Sequence, residues 1–233
     1  MDIIIRTCGE RTTQKCIDLA KRQGNVHIIS EKPFAESIRK TYLKAIELNN
    51  KWTPVIDADV LLYDDVLQKA IDELNSLPFN IFCLDGKTDD KIFNCPRRAG
   101  IHIYKTSLLE LALQYIDQNH IKPESNVRRE MEKCGHITYT GNIIFGKHDY
   151  EQYYADLWRK SVCQSQKLAK TIKKKKIVEF WRKKAEIDTD FRVILAAHEY
   201  GRNLNKEIRI DADETYNAKE NLRKLNIKEK AEL

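Results

Sequence analysis

Near its N-terminus the chain repeats one pattern: a short β-branched apolar run that stops at polar residues, then a stretch with helical periodicity. Asp2 to Thr7 (DIIIRT) is the first run, and three consecutive isoleucines suit a strand buried on both faces of a parallel sheet. Thr12 or Thr13 can cap a helix through Arg22, with Cys16, Ile17, Leu19 and Ala20 on its apolar side and Gly24 as its stop. Val26 to Ser30 (VHIIS) reads as a second strand. Pro33 then opens a long amphipathic helix to about Asn49, with Phe34, Ile38, Tyr42, Ala45 and Ile46 near helical spacing. Trp52 to Ile56 (WTPVI) is a third strand. Such units bury their strands only beneath helices on both sides, so the pattern predicts an α/β fold with a mostly parallel, Rossmann-like central sheet.

Tyr63 to Leu74 carries the next helical period, and Asn80 to Leu84 and Gly100 to Tyr104 read as fourth and fifth strands. Thr106 to Gln118 reads as a helix, Lys122 to Gly135 as a loop or short helix, and Ile137 to Phe145 as strand-like again. From Asp149 onward the sequence is helix-permissive and contains no proline. We therefore expect an α/β domain over residues 1–155 and a basic helical region over 156–233.

At 233 residues, 42% of them hydrophobic, the chain can bury a full core. Six cysteines show no CxxC pair and no short framework spacing, which reads as reduced thiols in a cytoplasmic protein. MDIIIRTCGER offers too short an apolar run for a signal-peptide core, and no window approaches the roughly 20 apolar residues of a membrane-spanning helix.

The third strand ends in Asp57-Ala58-Asp59. Carboxylates at i and i+2 share a face in an extended chain, and a turn at the sheet edge can aim both at one hard cation. Mg²⁺ or Mn²⁺ prefers oxygen ligands and keeps positions open for phosphate oxygens, so the pair can anchor a diphosphate where α/β folds bind ligands. The plain alternative is a solvated turn with a helix cap. Placement straight after an apolar strand and two β-α units favours the metal.

On these residues the sequence resembles the GT-A superfamily of glycosyltransferases, which bind nucleotide-sugar donors through a DxD motif. The resemblance spans roughly residues 2 to 150 and rests on DIIIRTCGER, on PFAESIRKTYLKAIELNNKWTPVIDADV and on His148 in FGKHDYEQYY. It implies that the first-strand loop meets the donor's base and ribose through Arg6, Thr7 and Arg11, and that the long helix adds Arg39, with Lys40 as a weaker candidate. It places Asp57, Ala58 and Asp59 at the donor, with His148 joining Asp57 and Asp59 on the metal. A neutral imidazole is a suitable third ligand for Mn²⁺. Asp149 is an alternative ligand, or a cap for a helix beginning at Tyr150.

The implied reaction moves a sugar from a nucleoside diphosphate sugar, UDP favoured, to a hydroxyl of a saccharide or lipid-linked acceptor, as in bacterial-type surface polysaccharide or glycolipid synthesis. Asp85, Asp89 and Asp90, in CLDGKTDD after the fourth strand, are placed where an acceptor-side base could reach, the plain alternative for each being an ordinary loop acid, so the stereochemical course stays open. Arg97 and Arg98 in NCPRRAG can touch a phosphate or stand as a solvated pair.

The net charge of +6 is concentrated between Arg159 and Lys184. Lys173 to Lys176, with Trp181, Arg182, Lys183 and Lys184, could face an anionic bilayer or simply solvent. No nucleic-acid recognition module is visible, so nucleic acid is not an expected partner. Asp188 and Asp190 form a second DxD-like triplet, better explained as an N-cap. Two other classes compete. A sugar-phosphate nucleotidyltransferase would want more glycines than the single Gly9 of RTCGERTT to cradle a triphosphate. A non-catalytic basic binding protein leaves the paired acids without a role.

Overall fold

The computed structural model describes residues 1–120, 122–168, 174–205 and 215–233. It divides into two compact units, residues 1–150 and 151–233.

The first unit begins with β1 (Asp2–Arg6), α1 (Thr13–Lys21), β2 (Asn25–Ile29), α2 (Phe34–Leu48), β3 (Trp52–Asp57), β4 (Val60–Leu62) and α3 (Val66–Ser76). It continues through β5 (Ile81–Asp90), β6 (Cys95–Lys105), α4 (Leu109–Leu113), α5 (Pro123–Lys133), β7 (Ile137–Tyr139) and β8 (Ile144–His148). The strands form one mixed sheet in the order β2-β1-β3-β6-β5-β8-β4, with β7 also on β5. β1 pairs parallel with β2 and β3, whereas β6 runs antiparallel to both β3 and β5.

Alternation along β1 explains the layering. Ile3 and Ile5 pack with Cys16, Ile17 and Ala20 of α1 and Leu67, Ala70 and Leu74 of α3. Ile4 faces the other way, with Ile38, Tyr42 and Ala45 of α2, Leu109 of α4 and Val127 and Met131 of α5. All three isoleucines are covered, one from one face and two from the other, which is why the middle of β1 reads as unbroken isoleucine.

Several local expectations are corrected. The fourth and fifth strands are far longer than their apolar cores, because β5 and β6 form a hairpin that carries polar residues into the sheet. Asp85, Asp89 and Asp90 therefore stand in β5 and not in a loop after it, and Arg97 and Arg98 stand in β6. Val60 to Leu62 is a strand because it pairs with β8, which delays the following helix to Val66. The Thr106 segment shortens to a 3-10 turn and α4, and the strand-like stretch around Gly141 splits into β7 and β8.

The second unit contains α6 (Tyr154–Leu168), α7 (Lys174–Ala185), α8 (Thr189–Arg202) and α9 (Ala218–Lys224). Helix α6 starts four residues after the expected Tyr150; the intervening Glu151 takes a positive φ of 61°. Leu157, Trp158, Trp181, Val193, Ile194, Ala197 and Leu222 are buried. Asp188 caps α8, its carboxylate accepting the Asp190 backbone N–H at 2.9 Å, and Asp190 pairs with Lys230 at 2.6 Å. Lys173 lies outside the described residues. On α7, Lys175, Lys176, Arg182, Lys183 and Lys184 are exposed, while Trp181 is buried. No described helix is long and apolar enough to cross a membrane.

Candidate metal centre

The aspartate turn is pinned from below. Ala58 is fully buried, its N–H donates to Arg6 O at 2.9 Å, and its carbonyl accepts from Thr12 Oγ1 at 2.7 Å. The register that sets Arg6 opposite Asp57 lets the arginine close on the carboxylate. Arg6 Nε donates to Asp57 Oδ1 at 2.8 Å, and Nη2 lies 2.8 Å from the same oxygen. Asp57 keeps 30% side-chain exposure. The other arm of Arg6, Nη1, donates to Glu124 Oε1 at 2.7 Å. Burial opposes the Arg6 charge, but Asp57 and Glu124 outweigh it and hold the guanidinium well above its ordinary range.

Asp59 turns the other way. It is 6% exposed, and its Oδ1 lies 3.6 Å from His148 Nε2. His148 reaches this point because β8 is flanked by β5 and β4, pairing with Asp90 on one side and Val60 on the other. His148 Nδ1 lies 2.9 Å from Asp90 Oδ2 and 3.2 Å from Asp149 Oδ2. Ligand atoms of Asp59, His148 and Asp149, all three residues buried, come within 4.8 Å of one another. Burial would depress the imidazole, but Asp149, Asp59 and Asp90 outweigh it and raise His148 well above the usual histidine value. The pocket thus demands positive charge, which a proton or a metal cation can meet. With Nδ1 held by Asp90, Nε2 is the nitrogen left for a cation, the arrangement by which a carboxylate orients a ligating histidine.

Gly100 makes room for this cluster. Its φ is +69°, and a Cβ there would stand 2.5 Å from Val60 Cγ2, 3.1 Å from His148 Cδ2 and 3.5 Å from Asp59 Oδ1. Only glycine fits both the backbone angle and the space.

The remaining candidates scatter. Thr7 is buried, its hydroxyl donating to Glu10 Oε2 at 2.8 Å and accepting Gly9 N–H at 3.0 Å, which shapes the loop after β1. Arg11, on the same loop, is partly exposed. Arg39 and Lys40 lie on α2, Arg39 facing Glu36 at 3.7 Å and Lys40 paired with Glu31. Asp90 binds Arg97 Nη1 at 2.6 Å, and that guanidinium stacks on Phe93 at 4.4 Å. Asp85 is buried beside His102 at 3.3 Å, with Arg98 at 3.7 Å and Arg128 at 3.8 Å. Burial alone would raise the Asp85 carboxyl, but His102 and the two arginines pull it below its ordinary value, which makes it a weak proton acceptor. Neighbouring strand residues point to opposite faces, so Asp89 turns away from the face carrying Asp90 and accepts the Tyr63 hydroxyl at 2.8 Å.

Sequence reading missed Glu124, His102, Arg128, Tyr104 and Gly100. Glu124 Oε1 accepts Tyr104 OH at 2.7 Å, and Oε2 lies 3.1 Å from His102 Nε2. The only visible signal was weak: a glycine and a histidine inside GIHIY, and acids on a helix of polar composition.

No family model matches the chain, and no curated protein matches it. Solved structures do. A mannosyltransferase from Pyrobaculum calidifontis in complex with GDP-Man and Mn²⁺ superposes with a TM-score of 0.50 at 13% identity, covering 88% of this chain and 70% of that one. A glycosyltransferase involved in glycosylation of the PBCV-1 major capsid gives 0.44 at 12% identity, with 64% and 92% covered. A 4-diphosphocytidyl-2C-methyl-D-erythritol synthase from Anaerococcus prevotii gives 0.45 at 10% identity, with 64% and 89% covered. The fold is GT-A-like.

Proposed function

We propose that the chain is a metal-dependent glycosyltransferase that uses a nucleoside diphosphate sugar and holds Mn²⁺ or Mg²⁺ through Asp59, His148 and Asp149. One observation carries this reading. Two buried carboxylates and an imidazole converge at the sheet edge beside the aspartate turn, and a third carboxylate, Asp90, fixes the imidazole with Nε2 toward Asp59. A carboxylate–imidazole set suits Mn²⁺, and Mg²⁺ is the alternative where oxygen ligands dominate. The fold likeness to a mannosyltransferase solved with GDP-Man and Mn²⁺ supports the donor class.

When bound, the cation neutralises charge that develops on the departing diphosphate. The protein does the rest by placement. Asp90 keeps His148 in one orientation, Thr12 and Arg6 hold the turn at Ala58, and Arg6 keeps Asp57 beside the cluster without joining it. Asp149 takes the third place on the cation, with Asp57 at the donor. The acceptor on this reading is a saccharide or lipid-linked hydroxyl, and UDP is the favoured nucleotide.

The test is a panel of UDP-, GDP- and dTDP-sugars incubated with the protein and Mn²⁺. Slow release of nucleoside diphosphate from one donor, lost on chelation, is the expected result. Consumption of a nucleoside triphosphate with release of pyrophosphate would instead make the chain a nucleotidyltransferase, and turnover of neither would leave a binding protein.

A further inference from the structure

A buried chain of charges runs from the aspartate turn through Arg6 into α5, and the proposed chemistry uses it only as far as Arg6 and Asp57. Arg6 is 4% exposed, so it cannot reach a donor lying in solvent. Its fork instead joins two carboxylates 51 and 118 positions away, Asp57 on β3 and Glu124 on α5. Glu124 is itself fixed on every side. Tyr104 and Arg6 share its Oε1, while His102 at 3.1 Å and Arg128 at 3.9 Å face Oε2. Among the described residues, Asp57 is bonded by Arg6 through Oδ1 and keeps 30% side-chain exposure, outside the group formed by Asp59, His148 and Asp149.

We propose that Glu124 is a positioning residue for nucleotide binding: it locks the Arg6 guanidinium, which in turn aims the Asp57 carboxylate at the donor. The inference rests on the glycosyltransferase reading above and extends it to a helix that touches no substrate. The physical requirement is a carboxylate at position 124. A carboxylate accepts hydrogen bonds at both oxygens, as Arg6 and His102 require, whereas an amide accepts at one and presents N–H groups at the other. Glutamine would therefore set a donor against Arg6 or against His102, and would leave Arg6 with one counter-charge where it now has two.

The experiment is a double-mutant cycle read as affinity for UDP and for GDP in the presence of Mn²⁺, with Mn²⁺ affinity measured separately. Glu124→Gln and Asp57→Asn should each weaken Mn²⁺-dependent nucleotide binding by more than about tenfold. The double variant should bind within about twofold of Asp57→Asn, because both changes break one relay. Mn²⁺ binding alone should stay within about twofold in Glu124→Gln, since Asp59, His148 and Asp149 lie off the relay. Should Glu124→Gln fail to fold, Arg6→Lys replaces it: one ammonium cannot bridge two carboxylates as the fork does, so the same loss is expected. Nucleotide affinity unchanged in the single variant, or losses that simply multiply in the double, would overturn the relay while leaving the enzyme reading intact. Wild-type protein that binds none of UDP, GDP and dTDP in the presence of Mn²⁺ would overturn the enzyme reading and the relay together.

Discussion

His148 Nδ1 lies 2.9 Å from Oδ2 of Asp90, a residue on the neighbouring strand that is 1% exposed. Burial alone would raise the Asp90 carboxyl, but the hydrogen bond and charge of His148, with the Arg97 guanidinium, pull it down to about 2. Asp90 is therefore ionised at any working pH, and its role is to orient the ring. Asp90→Asn keeps the shape and removes the charge. It should weaken Mn²⁺ binding by about 10–100-fold, the usual cost of losing a group that orients a metal-binding histidine, with secondary structure retained. Metal titration followed by circular dichroism checks both halves.

Gly100→Ala tests the space beside that ring. The new Cβ meets Val60 Cγ2 at 2.5 Å, and its backbone would hold an alanine at φ +69°. Unfolding free energy in urea should fall by about 1–3 kcal/mol, the scale of one strained backbone position, and Mn²⁺ binding should weaken with it.

A pH dependence follows from His102. Burial would lower its pKa, yet the Glu124 carboxylate, aided by Asp85 and opposed by Arg128, raises the ring well above the ordinary value of 6.5. A raised folded-state pKa gives stability that is complete below the unfolded value and is lost as pH climbs toward the folded one. Wild type should therefore exceed His102→Gln in melting temperature by its widest margin below about pH 6.5, with the gap narrowing as pH rises above that. A gap that widens with pH would contradict the assignment.

Thr12→Val probes the floor of the aspartate turn. It removes the hydroxyl that donates to Ala58 O at 2.7 Å and leaves a buried carbonyl short of a partner. The expected loss is about 1–3 kcal/mol in denaturant unfolding.

The order of elements through β3 was legible because isoleucine runs and helical spacing report burial directly, and Ile3, Ile4 and Ile5 are indeed fully buried between two helical layers. The β5–β6 hairpin was not. Its outer half is written in Lys87, Asp89, Asp90, Arg97 and Arg98, a polar run that reads as loop; Asp90, Arg97 and Arg98 find their opposite charges across the strands. The same reason governs the site. Asp59 and His148 could be singled out from a strand end and a downstream histidine. The division of labour that gives Asp57 to Arg6 and draws Asp149 toward His148 depends on register between β1 and β3 and among β4, β5 and β8. Glu124 had only the weak signature of an acid on a polar helix, since its partners come from β1, β6 and its own helix.

On the function proposed above, Asp59, His148 and Asp149 share one cation with a diphosphate. Calorimetric titration of Mn²⁺ into wild type and Asp59→Asn, each with and without UDP, tests it most directly. Wild type should bind one Mn²⁺ per chain, more tightly when UDP is present because linkage between the two ligands is reciprocal, and Asp59→Asn should lose both effects despite an intact fold. Equal Mn²⁺ binding by the two proteins, or Mn²⁺ binding indifferent to UDP, would contradict it.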